Sequence, residues 1–107
     1  MRLQPTHQFV REVKRLSKKH PSLRADLNQL QNQLLNNPYE GKSLGQSCYK
    51  IRMAITSKGQ GKSGGARVVT CIRIERDTIY LLKIFDKSEQ ETISDAELTE
   101  LLQQIED

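Results

Sequence analysis

Cys48-Tyr49-Lys50-Ile51-Arg52-Met53-Ala54-Ile55-Thr56 runs into Ser57-Lys58-Gly59-Gln60-Gly61-Lys62-Ser63-Gly64-Gly65, and then into Ala66-Arg67-Val68-Val69-Thr70-Cys71-Ile72-Arg73-Ile74. The pattern is strand, glycine-rich loop, strand. Successive side chains of a strand alternate, so Tyr49, Ile51, Met53 and Ile55 fall on one face and Lys50 and Arg52 on the other. The apolar set faces a core. The loop contributes Lys58 and Lys62, and Arg67 opens the return strand. Five cations thus gather on one hairpin, with no acid between Lys50 and Arg73. Like charges held together oppose folding, so the cluster points to an anionic ligand. A solvated basic edge that blocks sheet-to-sheet aggregation accounts for the same residues without a ligand.

Upstream, residues 1–4 read as a short edge strand. Thr6 caps a helix after Pro5. Phe9, Val13 and Leu16 recur at helical spacing with Val10 beside them, and Arg11, Lys14, Arg15, Lys18 and Lys19 form the polar face. His20-Pro21 ends this helix, because the residue before proline is pushed out of the α region. Ser22 caps a second helix striped by Leu23, Leu27, Leu30 and Leu34 and stopped at Asn36-Asn37-Pro38. Tyr39 to Ser47 reads as a loop. Downstream, Glu75 to Thr78 is a turn, and Ile79 to Phe85 is apolar enough for a central strand. Asp86 to Ile93 is a polar loop. Ser94-Asp95-Ala96-Glu97 is a capping box that opens a last helix, running to Glu106 and striped by Leu98, Leu101, Leu102 and Ile105. The order (β)ααβββα predicts an α+β fold spanning residues 1–107 as one domain: a mostly antiparallel sheet packed by an N-terminal helical hairpin and a C-terminal helix.

Hydrophobic residues are 36% and charged residues 28% of the chain, which places it among globular rather than disordered proteins. No apolar run is long enough to span a bilayer, and Met1 to Pro5 has no signal-peptide core, so a cytoplasmic protein is expected. The net charge of +4 is unevenly spread. Residues 1–24 hold seven Lys/Arg against Glu12, residues 50–87 hold nine against three acids, and residues 88–107 hold seven acids and no base. A basic body with an acidic end predicts a polyanion surface on one side. Cys48 and Cys71, each in a strand, read as buried thiols. A disulfide would need those strands to pair there and an oxidising compartment. No CxxC or clustered histidine accompanies them, so zinc is not expected.

Gly61-Lys62-Ser63 invites a phosphate-loop reading, but that loop needs glycine five positions earlier, where Thr56 stands, and must lead into a helix, where a β-branched strand follows. The glycines have a second use, letting the backbone turn and a bulky ligand approach. His7 and His20 lie on the helical hairpin and read as exposed polar residues. Any catalysis therefore rests on Lys, Arg and Tyr. Clustered cations stabilise the charge that develops on phosphate oxygens. A lysine crowded by like charges has its pKa lowered and can act as a general base. RNA brings its own nucleophile, the 2′-OH, so a metal-free RNase is physically reasonable, as is a plain RNA binder.

Cys48-Tyr49-Lys50-Ile51-Arg52, Gly65-Ala66-Arg67-Val68-Val69 and Tyr80-Leu81-Leu82-Lys83-Ile84-Phe85-Asp86-Lys87-Ser88-Glu89 resemble the RelE/HigB branch of bacterial type II toxins. So do the helices Phe9 to Leu16 and Leu23 to Leu34 and the Asn37-Pro38 boundary. The resemblance implies a small RelE-like fold and an mRNA interferase that cleaves translated mRNA on the ribosome by metal-independent 2′-OH attack, with no cofactor. It implies a cognate antitoxin, expected to be of the helix-turn-helix type; the last helix, acidic outside and leucine-lined inside and expected near the basic site, makes that side the expected place of its action. By the same resemblance Lys50 and Arg52 match the family's basic pair, with Lys50 the general base. Arg67 holds the scissile phosphate, and Lys87 protonates the leaving oxygen. Lys58, Lys62 and Arg73 are expected to bind RNA. No tyrosine follows Lys87 where relatives stack one on a base. Two alternatives have different chemistry: a ParE-like toxin that poisons gyrase, and a non-catalytic RNA- or ribosome-binding module.

Overall fold

The structure, a computed structural model, describes residues 1–105. Among them five strands, β1 (Arg2–Pro5), β2 (Lys42–Gly45), β3 (Cys48–Met53), β4 (Ala66–Arg73) and β5 (Thr78–Asp86), form one sheet in the order β1-β5-β4-β3-β2. Three helices, α1 (His7–Lys19), α2 (Leu23–Asn36) and α3 (Asp95–Gln103), cover it. β1 lies parallel to β5 and every other pairing is antiparallel. Every residue of β5 is buried, as its apolar run predicts for a strand covered on both faces.

The two faces carry separate cores. On one, Phe9, Val13 and Leu16 of α1 and Leu23, Leu27, Leu30 and Leu34 of α2 meet Ile51, Met53, Val68, Ile79 and Leu81. On the other, Leu98, Leu101 and Leu102 of α3, with Ile105 beyond it, meet Val69, Tyr80, Leu82 and Phe85. Each fully buried leucine here contributes on the order of 2 kcal/mol. α3 spans only part of its face, and the uncovered part carries Lys50 and Arg52. The expected helix is longer than α3, and its last position, Glu106, lies outside the described residues.

The caps divide. Thr6 accepts a hydrogen bond from Phe9 N at 3.2 Å and Ser94 accepts one from Glu97 N at 3.1 Å. Ser22 makes no cap bond; it already has helical backbone angles, and its hydroxyl donates to Asp26 Oδ2 at 2.8 Å. The stretch read as a loop from Tyr39 to Ser47 contains β2, paired through Lys42 with Lys50 and Ser43 with Tyr49. The turn that follows has positive φ at both Gln46 and Ser47, the geometry of a type I′ hairpin built without its usual Asn-Gly signal. Cys48 and Cys71 are directly opposed across β3 and β4 and form no disulfide. The hydrogen bond between the two thiols, and after it burial, push the Cys48 pKa up.

The hairpin loop returns to β4 through Gly65, where a Cβ would collide with the Met53 carbonyl oxygen. Gly61 has φ of 67° but open space around it. Gly65→Ala is therefore expected to cost about 1–3 kcal/mol, the scale of forced overpacking, and Gly61→Ala about 1 kcal/mol. Thermal melts of the two variants check this order.

Candidate nucleic-acid interface

The β3–β4 register sets Arg52 opposite Arg67 and Lys50 opposite Val69. Lys50 and Arg52 alternate with Ile51 and Met53, which are held in the α1–α2 core, so the cations take the opposite face. β2 brings Lys42 opposite Lys50, the loop brings Lys62, and Lys87 follows the end of β5. These six cations line an open cleft of about 650 Å³, rimmed by Glu40 and Glu91.

The cations in and around the cleft sort into two groups. The side chains of Lys42, Lys50, Arg52, Lys62 and Lys87 donate to no described acceptor. The others nearby are engaged. Lys58 Nζ donates to Asp86 Oδ1 at 2.9 Å with its side chain only 15% exposed, so it is not in the cleft. Arg73 donates to the Gln46 and Ile72 carbonyls at the far end of β4, about 20 Å from Arg67 at the usual rise per strand residue. Lys83 interrupts the apolar run of β5 and is caged by Glu12 Oε2 at 3.2 Å and Glu97 Oε2 at 3.0 Å. Burial alone would lower its pKa, but the bonds to Glu97 and Glu12 outweigh that and hold it above the ordinary lysine value. Arg15 and Lys19 pair with Glu89.

Arg67 belongs to both groups. It is buried, 4% exposed. Its Nη1 donates to Lys62 O at 2.9 Å and Ala66 O at 3.0 Å, and Nη2 donates to Ser63 O at 3.3 Å. Those bonds tie the glycine-rich loop to the strand and leave Nε–H and one Nη2–H unengaged. Burial first, and the facing Arg52 charge second, lower the pKa of Arg67. The sequence sets Arg67 at the opening of the return strand; the structure buries it there and makes it a tether of the loop as well as a lining residue.

Asp86 fixes the surroundings of Lys87. Its carboxylate accepts from Lys58 Nζ, from Ser88 N at 2.9 Å and Ser88 Oγ at 2.8 Å, and lies 3.0 Å from His20 Nε2. Lys87 N donates to Gly65 O at 3.0 Å. His20 is thus not the exposed polar residue expected; its side chain is 13% exposed and joins the α1–α2 turn to the end of β5. Burial would raise the Asp86 pKa, but the Lys58, Ser88 and His20 bonds win and hold it far below the usual carboxylate range. Lys42 is the cleft residue that sequence reading omits, since the segment that carries it has no strand signal.

The chain matches, over residues 1–106, the family model described as the RelE toxin of the RelE/RelB toxin-antitoxin system. The chain belongs to the RelE toxin family. Its fold is similar to that of the E. coli toxin RelE, solved as a double mutant in the free state, with a TM-score of 0.65 and 20% identity over 97% of this chain and 96% of that one. No curated protein matches the sequence. Membership in the RelE family makes the chain the toxin of a toxin-antitoxin system and implies an antitoxin partner. No described helix is long and apolar enough to cross a membrane.

The Asp86 clamp has a pH signature. Its pKa is lower in the fold than in the unfolded chain, where it is about 3.9. Its contribution is therefore present above that value and drains as the pH falls below it. Wild-type stability is expected to drop below about pH 4. Asp86→Asn is expected to be less stable at neutral pH and flatter in the acid range. Denaturant midpoints between pH 7 and pH 2 check both.

Proposed function

We propose that this toxin is an mRNA interferase that cuts translated mRNA on the ribosome. The observation that carries the reading is the group of cations converging on one cleft without partners for their side chains among the described residues. Clustered charge of one sign costs stability, and elsewhere in the molecule buried cations are neutralised by Asp86, Glu12 and Glu97. An RNA backbone supplies the missing anions.

In the proposed reaction Lys50 takes the proton of a ribose 2′-OH. The 2′-oxygen attacks the adjacent phosphorus and the bond to the 5′-oxygen breaks. Lys87 gives its proton to that oxygen, leaving a cyclic phosphate and a 5′-OH end. Arg52 and the unengaged N–H groups of Arg67 meet the charge that develops on the phosphate oxygens. Lys42 and Lys62 hold the strand on either side. The antitoxin, in this reading, sets acidic residues against the same cations, which steers the pairing and disfavours wrong partners.

Mapping mRNA ends in cells after induction tests the reading. Cuts are expected inside translated frames and are lost when translation is blocked. Lys50→Gln, which keeps a polar side chain at this half-buried strand position, is expected to lower cleavage on the order of 10²–10³-fold. Arg67→Ala is expected to lose a similar factor and also about 1–3 kcal/mol of stability, because it releases the loop carbonyls. Wild-type cleavage by Lys50→Gln would refute its role. Growth arrest with intact mRNA and impaired DNA supercoiling would point to gyrase instead.

A further inference from the structure

β2 stops short of the length of β3. Its first residue, Lys42, pairs with Lys50, so the outer edge of β3 is open from Arg52 onward. Ile72 N donates to Ser47 O at 2.9 Å, which makes that pair a hydrogen-bonded one. Antiparallel alternation then turns the N–H and C=O of Lys50 and Arg52 away from β4, toward this edge. Those of Lys50 meet β2. Those of Arg52 meet no strand.

A groove of about 130 Å³ lies along this open edge. Gln29 and Gln33 of α2 form its far wall, and it shares Glu40, Ile51, Arg52 and Lys62 with the cationic cleft. Cleft and groove are therefore one surface that bends around the end of β2. Gln29 and Gln33 stand one turn apart on the same helix face, both exposed, and their carboxamides have no described partner. Asp26, also in the wall, is closed to a ligand: it accepts from Thr56 N at 2.9 Å and from Ser22 Oγ at 2.8 Å. Glu40 accepts from Asn37 Nδ2 at 3.0 Å and keeps acceptor capacity toward the groove.

We propose that this groove is a base-reading subsite of the same RNA site, taking the base of a nucleotide next to the one that is cut. The inference rests on the RNA reading of the cleft. Asp26 and Glu40 offset Arg52 and Lys62 in the groove, so it lacks the net positive charge that draws a phosphate into the cleft, while the carboxamides and the Arg52 backbone offer donors and acceptors for a neutral base edge. An unstacked base of single-stranded RNA presents its Watson–Crick edge for this kind of recognition. A Gln carboxamide pairs with such an edge through its oxygen and nitrogen together. Arg52 and Lys62, on the shared rim, hold the phosphate that links the read base to the cleft. The groove has room for one base, not for a stretch of strand.

The test compares cleavage maps of the wild-type toxin and the Gln29→Ala/Gln33→Ala double variant on the same translating mRNAs. Alanine at exposed helical positions favours the helix, so the variant is expected to fold with a melting curve at or above the wild type's. The wild type is expected to prefer particular bases at one position beside the cut, and the double variant to lose that preference by about tenfold, the value of one bidentate contact. A wild-type map without a base preference beside the cut, or a preference that survives in the double variant, overturns the subsite while leaving the RNase reading standing. A wild type that makes no cuts overturns the RNase reading and the subsite with it.

Discussion

A single buried carboxylate, Asp86, holds three separate parts of this molecule in place. It binds Lys58 from the loop after β3, His20 from the turn between α1 and α2, and Ser88 from the segment after β5. An unpaired buried carboxylate would be costly, and here Oδ1 accepts from Lys58 and twice from Ser88 while Oδ2 faces His20, which is why the group stays ionised. Asp86 stands beside Ala66 in the β4–β5 register, and Lys87 follows it directly. The clamp therefore decides where the chain leaves the sheet and which side of the cleft Lys87 lines. It also removes Lys58 from the cleft.

Two devices shape the loop from its opposite ends. Asp86 pins its beginning through Lys58, and Arg67 pins its end through the carbonyls of Lys62, Ser63 and Ala66. Between them Gly59 and Gly61 take positive φ, where a side chain would be strained. Lys62 is thereby presented to the cleft by a loop fixed at both ends. A cation on a preorganised loop loses little freedom when an anion binds, so more of the interaction appears as affinity or as transition-state stabilisation.

Much of this was readable in the residues themselves. The alternation from Tyr49 to Ile55 placed Lys50 and Arg52 on the face away from the helical core, and the two-sided burial of β5 followed from its composition. The failures share a physical cause. Lys58 and Lys62 stand in the same glycine-rich loop and look alike, but Asp86, which separates them, is 28 residues downstream of Lys58. Lys83 reads as a blemish in an apolar run until Glu12 and Glu97 arrive from two helices. β2 has little strand propensity of its own and forms because β3 offers it a ladder, through a turn whose Gln46 and Ser47 carry no turn signature. The burial of Arg67 is not legible in the sequence because its acceptors are backbone carbonyls, which leave no trace in side-chain chemistry.

The central claim is that the cleft cations whose side chains have no partner among the described residues, and not the basic hairpin as a whole, meet the RNA. The salt dependence of binding tests this most directly, using ribosomes programmed with mRNA whose 2′-hydroxyls are methylated to prevent cleavage. Each phosphate contact adds about 0.7 to the slope of log affinity against log salt for a single strand. The account predicts that Lys50→Gln, Lys62→Gln and Lys87→Gln each flatten the slope by about that amount, while Lys58→Gln leaves it unchanged. A slope that Lys58→Gln flattens as much as the others, or that none of the four alters, would contradict it.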